Sequence, residues 1–225
     1  MPTGTPLPEG LPPASQAAFR AAVRLGSRAR PRAGGVEVRA GIVPLALDEA
    51  VWCPDPARLD ELSDGAGAAD AILPAGASSE TALRAAGFRP TLGVATDDPS
   101  EGEPAPTATD GDDVGWDGAL EVARVLATDL GAPEVTGALA TALASAAAAD
   151  PAVRLVLGPG SPARAALVVV ETDEELVVVL VGGDAAGLAA RALAEGRALG
   201  KRTVWTRVRP HDAVDVDLRR WERTP

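Results

Sequence analysis

The chain has 225 residues, 46% of them hydrophobic, with a formal net charge of −11 and a pI near 4.6. That length buries a real core in one large domain or two small ones, and that hydrophobic share excludes a chain disordered throughout. The acidic balance argues against nucleic acid or an anionic membrane as a partner through the overall field. Cys53 is the one cysteine, which excludes an intramolecular disulfide and fits a reducing cytoplasm. No paired Cys/His spacing exists, so no metal site is expected. No apolar run reaches the roughly eighteen residues of a membrane span. The opening residues lack a positive stretch followed by an apolar one, so no secretory leader is expected and the protein is placed in the cytoplasm. Abundant Ala, Gly, Pro and Arg with almost no Lys suggest a GC-rich bacterial genome.

In chain order, residues 1–14 carry five prolines and read as a disordered tail. Ser15 is placed to cap a helix over 16–30, stopped by Pro31 and Gly34-Gly35. A strand over 36–47 ends near Pro44, and Asp55 caps a helix over 57–62. Residues 71–73 form a short strand, Ser78 or Ser79 caps a helix over 80–86, and 88–96 is a further strand. Residues 15–96 therefore make an N-terminal α/β half. Residues 97–113 hold Asp, Glu, Pro, Thr and Gly with almost nothing apolar, which predicts a flexible acidic linker. Helices follow over 118–130 and 134–149, separated by Gly131 and Pro133, and then a strand over 153–157. Two β-branched runs, 165–170 and 176–181, flank five polar residues and predict a buried hairpin. Gly182-Gly183 turns the chain into a helix over 185–199 ended by Gly200, and 203–208 is a strand. Val168, Val170, Val177, Val179 and Val181 are the expected core. The tail around Trp221 adds at most one strand.

From residue 114 the order is α, α, β, β, β, α, β, and Asp184-Ala-Ala-Gly187-Leu-Ala189 opens the third of these helices. This order resembles the cofactor half of the GNAT acyltransferase superfamily. There, a loop of pattern Arg/Gln-x-x-Gly-x-Gly/Ala grips the pyrophosphate of acetyl-coenzyme A. The resemblance implies a GNAT-like mixed sheet flanked by helices over 114–225, preceded by the smaller α/β half. That half, with Gly41-Ile-Val-Pro44, Ile72-Leu-Pro74 and Leu83–Phe88, resembles a partial, cofactor-free unit of the same kind. It also implies acetyl-CoA or another acyl-CoA held at Val181, Gly182, Gly183, Asp184, Gly187, Leu188, Ala189 and Arg191. Asp184 stands where the family has a basic or amide residue, and its charge would repel a phosphate.

Transfer to an amine needs a base and an acid. Glu171, beside the central strands, is the candidate base, with Asp173, Glu174 and Glu175 in the same loop. The family commonly uses a tyrosine as acid, and this chain has none. His211, the one histidine, is the candidate in its place. Cys53 has no His or Asn near it in sequence to activate it. Trp205 alternates against Val204, Thr206 and Val208, so it faces away from the valines; exposed, it would mark a ligand or partner surface. The expected function is an acyl-CoA-dependent N-acyltransferase acting on a small-molecule or peptide amine. The alternative is a catalytically inactive GNAT-like binding or dimerisation module, and a homodimer is admitted by either.

Overall fold

The structure is a computed structural model that describes residues 13–32, 35–39, 50–52, 70–74, 77–85, 87–97, 111–160, 162–208 and 218–223. Helix α1 (Pro13–Arg24) opens the chain, followed by strands β1 (Arg28–Arg32), β2 (Gly35–Arg39), β3 (Ala50–Trp52) and β4 (Asp70–Pro74). Helix α2 (Ala77–Ala85), β5 (Phe88–Asp97) and β6 (Asp112–Val114) come next. Then follow α3 (Ala119–Asp129), α4 (Thr136–Ala149), β7 (Val153–Leu157), β8 (Ala165–Glu171) and β9 (Glu175–Gly183). Helix α5 (Ala186–Leu199), β10 (Arg202–Val208) and β11 (Leu218–Arg223) complete the order. The strands form one sheet in the order β1-β2-β3-β4-β11-β5-β10-β9-β8-β7-β6. Only β3–β4 and β9–β10 among these neighbours run parallel. The last strand lies between β4 and β5, so the C-terminal end of the chain is built into the sheet beside strands of the first hundred residues.

The mixed sheet flanked by helices is as expected, and so is the order of elements from α3 to β10; β6 is not, because Asp112 and Asp113, expected in the linker, pair with Leu157 and Val156 of β7. The expected helix over 16–30 is a correction. It ends at Arg24 because Gly26 takes φ +99°, and Ser27 N–H closes the end by donating to the Ala22 carbonyl at 3.1 Å. Arg28–Arg32 instead pairs with β2, and Ser15 lies within the helix rather than capping it. Residues 1–12, 40–49, 53–69 and 98–110 lie outside the described residues. With them go Cys53, the expected helix over 57–62 and most of the expected linker.

The sheet separates two apolar layers. On one face Val153, Leu155, Val168, Val170, Val177, Val179 and Val204 pack against α1, α3 and α4. On the other, Leu167, Val169, Leu176 and Val178 pack against Ala185, Leu188 and Ala192 of the α5 segment. The register of β8 on β9 skips one residue: Val168 faces Leu180 and Val169 faces Val178. Val179 is the extra residue, so Val179 and Leu180 point to the same face, as a bulge requires. The phase of β9 therefore flips beyond it. That explains a second correction: Val181, expected in the core with its fellow valines, is half-buried on the α5 face beside Trp205.

Candidate functional site

The parallel pairing of β9 with β10 runs only from Glu175–Arg202 to Val178–Trp205. Beyond that point β9 continues to Gly183 and β10 to Val208, where β10 pairs with β5. The sheet thus divides at its centre, and the bulge at Val179 sits where the two strands part. Thr206, 2% exposed, bridges the start of the gap: its hydroxyl donates to the carbonyl of Val179 at 3.0 Å and lies 3.3 Å from that of Val178. Half-buried Val181 and Trp205 line the gap on the α5 face, with Leu188 behind them.

At the open end, Gly183 turns the chain with φ +70°, and a Cβ there would lie 1.9 Å from the Arg164 carbonyl oxygen. A Cβ on Gly182 would lie 2.9 Å from Leu126 Cδ2 and 3.1 Å from Leu126 Cα. Both glycines are therefore demanded by packing, one by the start of β8 and the other by α3. Asp184 is exposed, and its N–H donates to the Arg164 carbonyl at 3.1 Å. Helix α5 has no side-chain cap, and its first internal bond runs from Ala189 N–H to the Ala185 carbonyl at 2.8 Å. The N–H groups of Ala186, Gly187 and Leu188 have no assigned acceptor among the described residues. Three free donors at a helix start, with the positive end of the helix dipole, suit an anion.

The other expected residues lie elsewhere. Arg191 donates to the Gly111 carbonyl and stands 3.5 Å from Asp113, so its guanidinium is turned to β6 rather than to the turn. Glu171 faces Leu176 in the ladder, while Ala165 faces Gly183. The carboxylate is thus six strand residues from the open end, about 20 Å. Lys201 Nζ donates to it at 2.6 Å, and this bond holds its carboxyl below the usual carboxylate range against the opposing effect of burial. Arg154 lies 3.5 Å away on its other side. Burial works to lower the pKa of Arg154, but its bonds to Glu195 at 2.5 Å and Asp113 at 2.8 Å outweigh that and raise it. Glu171 is a member of a charge network that ties β7, β8 and α5. Glu175, expected in a solvated loop, is 5% exposed and accepts from Arg202 at 2.5 Å and from the Thr172 hydroxyl at 2.9 Å. Asp173 and Glu174 lie at the tip of this turn. His211 lies outside the described residues. No group of three metal-ligating side chains occurs among the described residues.

One carboxylate near the open end escaped the sequence reading. Glu121 on α3 borders a cleft of about 430 Å3 with Asp112, Val114, Leu157, Gly158 and Ala163. It accepts from Arg124 at 2.7 and 2.9 Å and from the Ala163 N–H at 3.0 Å. The Arg124 bond is the main cause holding its carboxyl below the usual range. Glu121 precedes Val125 by four residues, about one helical turn, and Val125 Cγ1 would lie 3.2 Å from a Cβ on Gly183. Its i,i+3 spacing to Arg124 was the available signal, but that spacing marks most surface helices equally. The opposite, hairpin end carries a cleft of about 770 Å3 lined in part by Arg24, Glu171, Glu175 and Lys201. These charges already pair within the protein.

No family model matches the sequence, and no curated protein matches it. Solved structures do. A functionally unknown conserved protein from Staphylococcus epidermidis ATCC 12228 aligns at a TM-score of 0.55 with 8% identity, over 89% of this chain and 96% of that one. A GCN5-related N-acetyltransferase from Sphaerobacter thermophilus aligns at 0.43 with 14% identity, over 74% of this chain and 64% of the other. L-PGS from Bacillus licheniformis aligns at 0.42 with 10% identity, over 94% and 81%. What this chain shares with the staphylococcal protein along nearly its whole length is the fold, a mixed α/β sheet flanked by helices, and from α3 to β10 it has the element order that carries the GNAT resemblance.

Proposed function

We propose that the chain binds an acyl-coenzyme A where β9 and β10 part and transfers the acyl group to an amine. The observation that carries this reading is the junction of the two features: a central sheet that opens at Val178/Trp205 and leads to an uncapped helix start at Ala186–Leu188. The free N–H groups fit a pyrophosphate, and the half-buried Val181 and Trp205 offer an apolar wall to a pantetheine-like arm. Asp184 opposes that fit, and Arg191 does not help it while it is held by Asp113 and Gly111. The bound thioester would supply the activated acyl carbonyl. On the protein's side, Glu121 borders the cleft beside α3 but is already held by Arg124 and the Ala163 N–H. The neutral amine attacks the carbonyl, the thioester C–S bond breaks, and the amine's proton ends on the departing coenzyme A thiol.

A second reading is a binding module without turnover. It is favoured by the engagement of Glu171, which is locked to Lys201 at the closed end and is not poised to take a proton near the gap.

Calorimetric titration with acetyl-coenzyme A tests the first step. At an exposed helix end one repelling carboxylate costs about 0.3–1 kcal/mol, so Asp184→Arg should tighten binding at least a few fold. Gly187→Val should abolish it by crowding the backbone donors. If wild type and Asp184→Arg both ignore the ligand at millimolar concentration, the acyltransferase reading is refuted. Binding with no acyl transfer to any amine supports the second reading.

A further inference from the structure

We infer that Trp205 sets the length of acyl group accepted where β9 and β10 part, and that the group is short, an acetyl rather than a fatty chain. This rests on the acyl-coenzyme A reading above and names the residue that would limit its substrate. The gap between the two strands has a blind end. They are paired up to Val178 and Trp205 and part beyond them. From Val178 to Gly183 β9 runs on for five residues, roughly 16 Å. A chain that enters beside Ala186–Leu188 and follows β9 inward must stop at the parting. Past that point the strands are hydrogen-bonded about 4.8 Å apart and leave no passage between them.

Two consecutive residues of β10 close this end, one on each face of the sheet. Thr206 closes the α1 side. It is buried, and its hydroxyl reaches across to the Val179 carbonyl at 3.0 Å. Val179 and Leu180, the two residues that the bulge turns to that side, are 2% and 4% exposed, and α1 packs against β9 and β10 there. The α5 side is different. Trp205 packs on the apolar layer that holds Val178 and Leu188, yet it stays half-buried, as does Val181 farther along the gap. A tryptophan that only fills a core is wholly covered, as Trp221 is at 1% exposed. The other residues of β10 around it, Thr203, Val204 and Thr206, are smaller and β-branched. The indole is thus the one bulky side chain at the parting among the described residues, and it stands on the side that is not sealed. It is rigid and wide, so an acyl group that reaches the blind end abuts it and has no room to lengthen.

Calorimetric titration of the full chain with coenzyme A, acetyl-coenzyme A and octanoyl-coenzyme A tests this. Wild type should bind octanoyl-coenzyme A at least about tenfold more weakly than acetyl-coenzyme A, the least that a misfit methylene costs in a closed pocket. Trp205→Leu keeps an apolar side chain on the α5 layer but shortens it, and should remove most of that difference. Trp205→Ala should remove it too. If the alanine variant folds poorly, the leucine variant still decides the role of the indole, and the wild-type preference needs no variant. A wild type that binds acetyl- and octanoyl-coenzyme A equally overturns the inference and leaves the acyl-coenzyme A reading standing. Variants at 205 that keep the wild-type preference overturn it as well. A wild type that ignores all three ligands overturns both.

Discussion

Thr206→Val should destabilise the protein far more than its change in volume suggests. The two side chains are nearly the same shape, so packing is conserved and only the hydroxyl is lost. That hydroxyl is buried, 2% exposed, and donates to the Val179 carbonyl at 3.0 Å. Val179 faces no residue in either neighbouring ladder: the bulge removes it from the β8 register, and the pairing with β10 has already ended. A buried acceptor stripped of its donor costs about 1–3 kcal/mol. In a chain of this size each kcal/mol moves Tm by about 2–4 °C, so the variant should melt roughly 2–12 °C lower. Thr206→Ser keeps the donor and removes one methyl group, and should lose about 1 kcal/mol. Thermal unfolding by circular dichroism orders the three proteins. If Thr206→Val melts with wild type, or above Thr206→Ser, the hydroxyl is not what joins β9 and β10 at their parting.

The elements most legible in the sequence were those with a local cause. Val153–Leu157 is bounded by Asp150-Pro151 and Gly158, and its ends match the reading residue for residue. Gly200 takes φ +66° at the end of α5, as a left-handed cap should. The valine runs of β8 and β9 are continuous because both faces of the sheet are covered there, so neither run shows alternation. The expected helix over 16–30 overruns α1 because it runs on to the stop at Pro31 and passes over Gly26-Ser27, where Arg28 and Arg30 still suit a helix. Tertiary pairing with β2 decided the matter.

The site was legible in its turn and not in its depth. Gly182-Gly183 announced a turn before a helix. It did not announce that the glycines answer to Leu126 and Arg164, residues 56 and 19 positions from Gly182 and Gly183. The bulge at Val179 left no mark either, since Val-Val-Val-Leu-Val suits a strand with or without it. Yet it decides which face Val181 takes. Glu171 is the expected base because it lies beside the hairpin strands in sequence. The register then placed it at the closed end, with a lysine thirty residues on to bind it.

Two further outcomes follow. Gly183→Ala should lower stability more than Gly200→Ala: both sit near φ +70°, but a Cβ meets the Arg164 oxygen at 1.9 Å in the first and open space in the second. The second should cost only about 1 kcal/mol, and equal urea midpoints for the two would show that the turn relaxes freely. The other concerns acid. Lys201 lowers the Glu171 pKa in the folded chain, ahead of the opposing burial and the attraction of Arg154. The folded state therefore favours the ionised carboxylate. Its contribution to stability is complete above the ordinary value of about 4.3 and is lost as pH falls through the lowered folded value. Glu171→Gln cannot ionise and should be less stable than wild type at neutral pH. That difference should shrink as pH falls below about 4.3, because protonation removes the same charge from wild type. Urea midpoints of both proteins between about pH 7 and pH 3 read this directly, and a difference that stays constant across the range would mean that Lys201 does not hold Glu171 in solution.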